Sequence, residues 1–155
     1  MAGAGQRFAD VGYTVPKPLI DVGGLPMAVR AAQSLPAADH WIFICRQEHI
    51  NVYGLDRVLC EYFPGAEVIT VDSLTEGQAS TCLLAKSSLH DDDRLTIGAC
   101  DNAMTWDRDV FFETVEMTDA LIWTFRDSPV VEENPENEIS KIYLDFAKKI
   151  KSQCI

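Results

Sequence analysis

The chain has 155 residues, 47% of them hydrophobic, and its 24 acidic and 13 basic side chains leave a formal charge of −11. That length suits one domain able to bury about two-thirds of its unfolded surface. The acidic balance argues against a nucleic-acid backbone or an anionic membrane as main partner, because both call for a basic face, and no apolar run reaches the roughly 18–20 residues of a bilayer span.

The chain opens on Gly3-Ala4-Gly5-Gln6-Arg7-Phe8. Two glycines one residue apart tolerate positive φ and let backbone N–H groups approach an anion. The dinucleotide fingerprint G-x-G-x-x-G would need glycine where Phe8 stands, and no G-x-x-x-x-G-K-[ST] loop occurs. A cation follows at Arg7, and ten residues later comes Pro16-Lys17-Pro18-Leu19. The flanking prolines predict that Lys17 is presented from a stiff extended segment, with much of its rotamer entropy already lost.

Pro26 suits the first turn of a helix running to Leu35, where its missing N–H costs nothing. Trp41 to Cys45 is short, β-rich and continuously apolar, as a strand covered on both faces would be. Leu55, Val58, Leu59 and Tyr62 mark one face of a helix that ends at Pro64-Gly65. Glu67 to Val71 reads as a second strand, and Gly77 to Leu89 as a helix with Ala79, Cys82, Leu83 and Lys86 on adjacent turns. Arg94 to Cys100 predicts a third strand, Asp107 a cap for a helix through Val115, and Ala120 to Phe125 a fourth strand.

Strands alternating with helices predict an α/β domain: a three-layer α/β/α, Rossmann-like arrangement with a mostly parallel sheet. The pattern reads as incomplete at both ends. No strand launches the opening loop, and after Phe125 an acidic, proline-bearing stretch, 127–138, precedes a short Lys-rich helix near 140–152. The expected organisation is a nucleotide-binding domain over 1–127, with 128–155 as its acidic loop and terminal helix.

Cys45, Cys60, Cys82, Cys100 and Cys154 have no C-x-x-C spacing and read as reduced, mostly buried thiols. With no readable signal peptide, they predict a cytoplasmic protein without a zinc site. His40, His49 and His90 show no ligand spacing and read as surface or satisfied histidines. Asp91-Asp92-Asp93 reads as a solvated loop, and Trp106 and Trp123 as core residues.

Residues 1–27, MAGAGQRFADVGYTVPKPLIDVGGLPM, resemble the signature of the sugar-1-phosphate nucleotidyltransferases, which share a glycosyltransferase-A-like Rossmannoid fold. The subgroup most resembled serves capsule and surface-polysaccharide synthesis, and the resemblance runs to about residue 127. It implies that Ala2, Gly3, Ala4 and Gly5 wrap a triphosphate, that Arg7 contacts its phosphates, and that Lys17 reaches the phosphate under attack. It also implies that Gly77, Gln78 and Ala79 begin a helix beside the base, although Gln78 also suits an ordinary exposed first turn. Asp101, in Gly98-Ala99-Cys100-Asp101-Asn102, matches a magnesium-binding aspartate of the family, and on spacing alone also suits a turn or helix cap.

The implied reaction is Mg²⁺-dependent transfer of a nucleoside monophosphate from a nucleoside triphosphate to a sugar-1-phosphate, or a similar phosphate monoester, with release of pyrophosphate. Two other readings remain open. One is a nucleotide-sugar-dependent glycosyltransferase on the same fold, against which Asp101-Asn102-Ala103 lacks the second aspartate of a D-x-D motif. The other is a non-catalytic nucleotide-binding remnant. The base, the acceptor, the second metal ligand and the oligomeric state are not legible.

Overall fold

The computed structural model describes Phe8 and residues 12–122 of the chain. Its elements are helix α1 (Met27–Gln33), strand β1 (Ile42–Arg46), helices α2 (Gln47–Tyr53) and α3 (Leu55–Tyr62), strand β2 (Glu67–Val71), and helices α4 (Gln78–Leu83) and α5 (Arg108–Glu116), with 3₁₀ turns at Lys17–Leu19 and Lys86–Ser88. The fold is α/β, and its ladder is parallel. β1 pairs β2 in the register Ile42↔Glu67 to Arg46↔Val71, and Glu67 N–H donates to Trp41 O at 2.8 Å to extend it. A parallel pair cannot be joined by a tight turn, and α2 and α3 supply the crossover.

The reason for these elements is burial. Leu55 and Leu59, one turn apart on α3, are fully buried and meet Phe43 and Cys45 of β1, Ala28, Val29 and Ala32 of α1, and Phe63. Val58 is half-buried and Tyr62 exposed, so the expected stripe narrows to its central pair. Trp41, Phe43 and Phe63 close this core with ring centroids 4.7–6.1 Å apart. Gly54, at φ 64°, ends α2 by donating to Ile50 O and starts α3 by accepting from Val58 N–H. Only a residue free to enter the left-handed region joins two helices so tightly. Among the described residues no helix is long and apolar enough to cross a membrane.

Several expectations are corrected. β1 buries Phe43 and Cys45 while Ile42, Ile44 and Arg46 are only half-buried, so it is not sealed on both faces. Residues 94–99 run without a strand ladder, and Leu95 and Ile97 stay half-exposed, because the segment finds no ladder partner among the described residues. Ala120 to Ile122 likewise form no strand, and the rest of that expected strand, like the 127–138 stretch and the helix near 140–152, lies outside the described residues. The helix expected over 77–89 splits into α4 and a 3₁₀ turn, and α4 buries nothing, with Leu83 69% exposed. Pro26 is the residue before α1 rather than within it.

Of the described cysteines only Cys45 is buried; Cys60 is exposed and Cys82 and Cys100 are half-buried, all as free thiols. Cys154 lies outside the described residues. His49 is neither exposed nor satisfied: it is buried on α2, and its Nδ1 has no hydrogen-bond partner. Asp91–Asp93 form an exposed loop as expected.

The chain divides into two compact units between Thr105 and Trp106. In the second, Asp107 caps α5 as expected, its Oδ1 accepting from Asp109 N–H at 3.0 Å and Val110 N–H at 3.1 Å. Trp106 is half-buried, with the Phe111 ring 5.0 Å and the Phe112 ring 6.5 Å away. Trp123 lies outside the described residues.

Candidate functional site

Lys17 reaches the site from a turn, not from extended backbone. Pro16 is extended (φ −64°, ψ 148°), but Leu19 N–H donates to Pro16 O at 2.8 Å and Ile20 N–H to Lys17 O at 3.2 Å, which winds Lys17–Leu19 into 3₁₀ form. Two turn hydrogen bonds and burial of Pro18 and Ile20 outweigh the extended preference of a residue before proline. The next loop is tied down as well. Asp21 and Pro26 form an antiparallel bridge, and the Arg30 guanidinium donates to Val22 O and Gly23 O. The base of Lys17 is therefore anchored by the burial of Pro18 and Ile20, and its side chain extends away from that anchor.

Asp101 follows the 94–99 segment in a turn, just after Cys100, which packs against the core. Burial pushes the Cys100 thiol above its ordinary pKa and the neighbouring Asp101 charge adds to that, with Lys17 opposing, so the thiol is held in its neutral form. The Cys45 thiol, deeper in the core, is pushed up to about 12. Eighty-four positions separate Lys17 from Asp101, yet the Lys17 ammonium and Asp101 Oδ2 form a direct ion pair. The pair is partly exposed, at 23% and 39% for the two side chains.

A cavity of about 450 Å³ opens beside this pair, between Ile42–Ile44 of β1, the 95–101 segment and the start of α4. That volume lies within the range of small-ligand sites, roughly 300–1,000 Å³. Gly77 and Gln78 line it, with Lys17 and Asp101. Gly77 has φ 146°, a conformation that a side chain would strain, and it precedes α4. Ala79 is exposed and is not among the lining residues. Thus Lys17, Gly77, Gln78 and Asp101 are brought together and Ala79 is not, while Ala2, Gly3, Ala4, Gly5 and Arg7 lie outside the described residues.

Three contributors escape the sequence reading. Thr75 and Thr81 line the cavity with their hydroxyls in mutual contact, and Thr81 donates to Gly77 O at 2.8 Å. Their six-residue spacing across a glycine was the available signal. Phe8 enters the sequence argument only by breaking a fingerprint, yet the Lys17 ammonium lies 5.4 Å from its ring centroid. Tyr13 packs edge-on against Phe8 at 5.8 Å.

Among the described residues no set of three His, Cys, Asp or Glu side chains could hold a metal ion. Asp101 offers one carboxylate with Oδ2 engaged by Lys17. Such a donor suits a hard cation that keeps most of its waters and takes further oxygens from phosphates, as Mg²⁺ does, and does not suit a site built wholly from protein ligands.

No family model matches the chain, and no curated protein matches it. Among solved structures, the nucleoside-diphosphate-sugar pyrophosphorylase from Vibrio cholerae RC9 is similar at 25% identity with a TM-score of 0.47. The match covers 58% of this chain and 41% of that protein, so the chain spans well under half of its length.

Proposed function

We propose that the protein is a nucleotidyltransferase that moves a nucleoside monophosphate from a nucleoside triphosphate to a sugar-1-phosphate and releases pyrophosphate. The observation supporting this most is the meeting of Lys17 and Asp101 at a cavity that Gly77 and Gln78 also line. A phosphate-monoester acceptor is largely ionised at neutral pH and needs no general base, in keeping with a cavity whose lining includes no histidine. The barrier is electrostatic: one anion must approach an α-phosphorus already surrounded by charge. Fixed cations and N–H dipoles lower it by neutralising the transferring group.

In this reading Lys17 and Arg7 neutralise the phosphates, the loop of Ala2 to Gly5 donates backbone N–H groups to them, and Gln78 faces the base. Asp101 would hold Mg²⁺, which when bound supplies charge neutralisation on bridging phosphate oxygens. The net charge of −11 opposes a triphosphate only at long range, because screening over about 8 Å at physiological salt leaves the local cations in control.

Pyrophosphate release, measured with the four common triphosphates against a panel of sugar phosphates, tests the proposal. Lys17→Ala is expected to keep the fold and lower turnover by roughly 10²–10³, the loss typical of one transition-state donor. Asp101→Asn is expected to raise the Mg²⁺ concentration needed for half-maximal rate. Triphosphate binding without pyrophosphate release under every pairing refutes catalysis, and unimpaired turnover in Lys17→Ala removes that residue from the reaction.

A further inference from the structure

Among the described residues the Asp101 carboxylate has no ion-pair or hydrogen-bond partner besides Lys17. Among the same residues the Lys17 ammonium has, besides Asp101, only the face of the Phe8 ring. While they hold each other, Oδ2 and one ammonium N–H are engaged, so a cation or a phosphate arriving alone has to compete with the pair. We propose that the pair is a latch that couples the two ligands of the site. A free divalent cation and a free polyphosphate are each taken up weakly, and each tightens the other by releasing its partner's ligand.

The inference rests on the reading of Asp101 as the metal-side group and Lys17 as the phosphate-side group. Coupling of this kind is reciprocal: whatever one ligand gains from the other is returned in equal measure. Phe8 gives the released ammonium a second seat. A ring face attracts a cation without claiming its hydrogen-bond donors, so Lys17 stays near the cavity and free to donate when Asp101 turns away. The edge contact from Tyr13 holds that ring in place.

The test uses Mn²⁺ alone, followed by the electron paramagnetic resonance of the free ion, and inorganic tripolyphosphate alone in EDTA, followed by calorimetry. Lys17→Met is expected to bind Mn²⁺ about two- to fivefold more tightly than the unaltered chain, the fold-change that corresponds to opening a partly exposed ion pair. Lys17→Arg, which keeps both charge and pair, is expected to stay at the unaltered affinity. Asp101→Asn is expected to lose Mn²⁺ and to bind tripolyphosphate more tightly by a similar factor.

Equal Mn²⁺ affinity in Lys17→Met and the unaltered chain, with Asp101→Asn still abolishing binding, overturns the latch and leaves the functional reading standing. Tripolyphosphate affinity unchanged in Asp101→Asn overturns it equally. Mn²⁺ binding that survives Asp101→Asn removes Asp101 as a ligand and overturns both.

Discussion

Gly98 stands three residues before Asp101 in the wall of the cavity, and replacing it tests how rigidly that wall is held. A Cβ built on Gly98 would lie 2.7 Å from Leu35 Cδ1, 3.4 Å from Cδ2 and 3.5 Å from Cγ. The first distance is too short to persist, so something must move. All three atoms belong to the end of one half-buried side chain beside a second cavity of about 450 Å³, which offers Leu35 room to rotate. Forcing one side chain off its preferred rotamer costs about 0.5–1.5 kcal/mol. Against this, Gly98 has no positive φ, so alanine fits its backbone and gains about 0.4–1 kcal/mol by restricting the unfolded chain. Gly98→Ala alone should therefore change stability by no more than about 1 kcal/mol in either direction.

With Leu35→Ala the obstacle is gone, and Gly98→Ala should stabilise by the whole unfolded-state gain. The predicted coupling between the two sites is thus the clash itself, about 0.5–1.5 kcal/mol. Urea unfolding of the four proteins of the cycle measures it, followed by Trp41 fluorescence in a common Trp106→Phe, Trp123→Phe background so that the first unit alone reports. Additivity within about 0.3 kcal/mol would show that the backbone of the 98–101 segment yields instead of Leu35, and would refute the reasoning.

Burial lowers the His49 pKa below its ordinary 6.5, and the nearby Arg46 charge pushes in the same direction. The stability that depends on neutral His49 is then complete above pH 6.5 and is lost as pH falls through the folded-state value; urea midpoints should fall over that window, and His49→Gln should flatten the slope. Asp107→Ala removes the acceptor for two N–H groups at the start of α5 and should cost about 1 kcal/mol of that helix's stability, seen as faster amide exchange across 108–116. A thiol reagent at pH 8 should label the exposed Cys60 in the native protein and reach Cys45 only on unfolding, because Cys45 is inaccessible and held protonated; labelling at equal rates would contradict the burial.

The parts of this molecule that could be read from its sequence are those decided locally. Leu55 and Leu59 announce α3 because one helical face must be buried, and Asp107 announces α5 because its side chain competes for the first free N–H groups. Glu67–Val71 is readable because β-branched residues fill a pleated surface. Helix α2 is not legible because Gln47–Tyr53 lacks an apolar stripe; its one strong signal is Gly54, whose role as a shared cap needs the next helix to be known first. Residues 94–99 misled for the opposite reason. Their composition is that of a strand, but a ladder also needs a partner, and composition cannot supply one.

The same distinction explains the site. Lys17 and Asp101 were each recognisable as residue types in a motif, but their contact across 84 positions is a property of the packing: Pro18 and Ile20 anchor one, Cys100 the other, and the cavity lies beside both. The two anchors are apolar and lie directly beside the charged residues, so the charges are fixed from behind while their tips remain partly wet. That arrangement suits a site that must exchange one ion pair for others. Full burial would make separation of the pair cost about 3–5 kcal/mol and lock it shut, whereas full exposure would leave the two side chains disordered and the coupling too weak to measure. Intermediate exposure, 23% and 39%, leaves the pair formed yet within reach of solvent, as the proposed exchange requires.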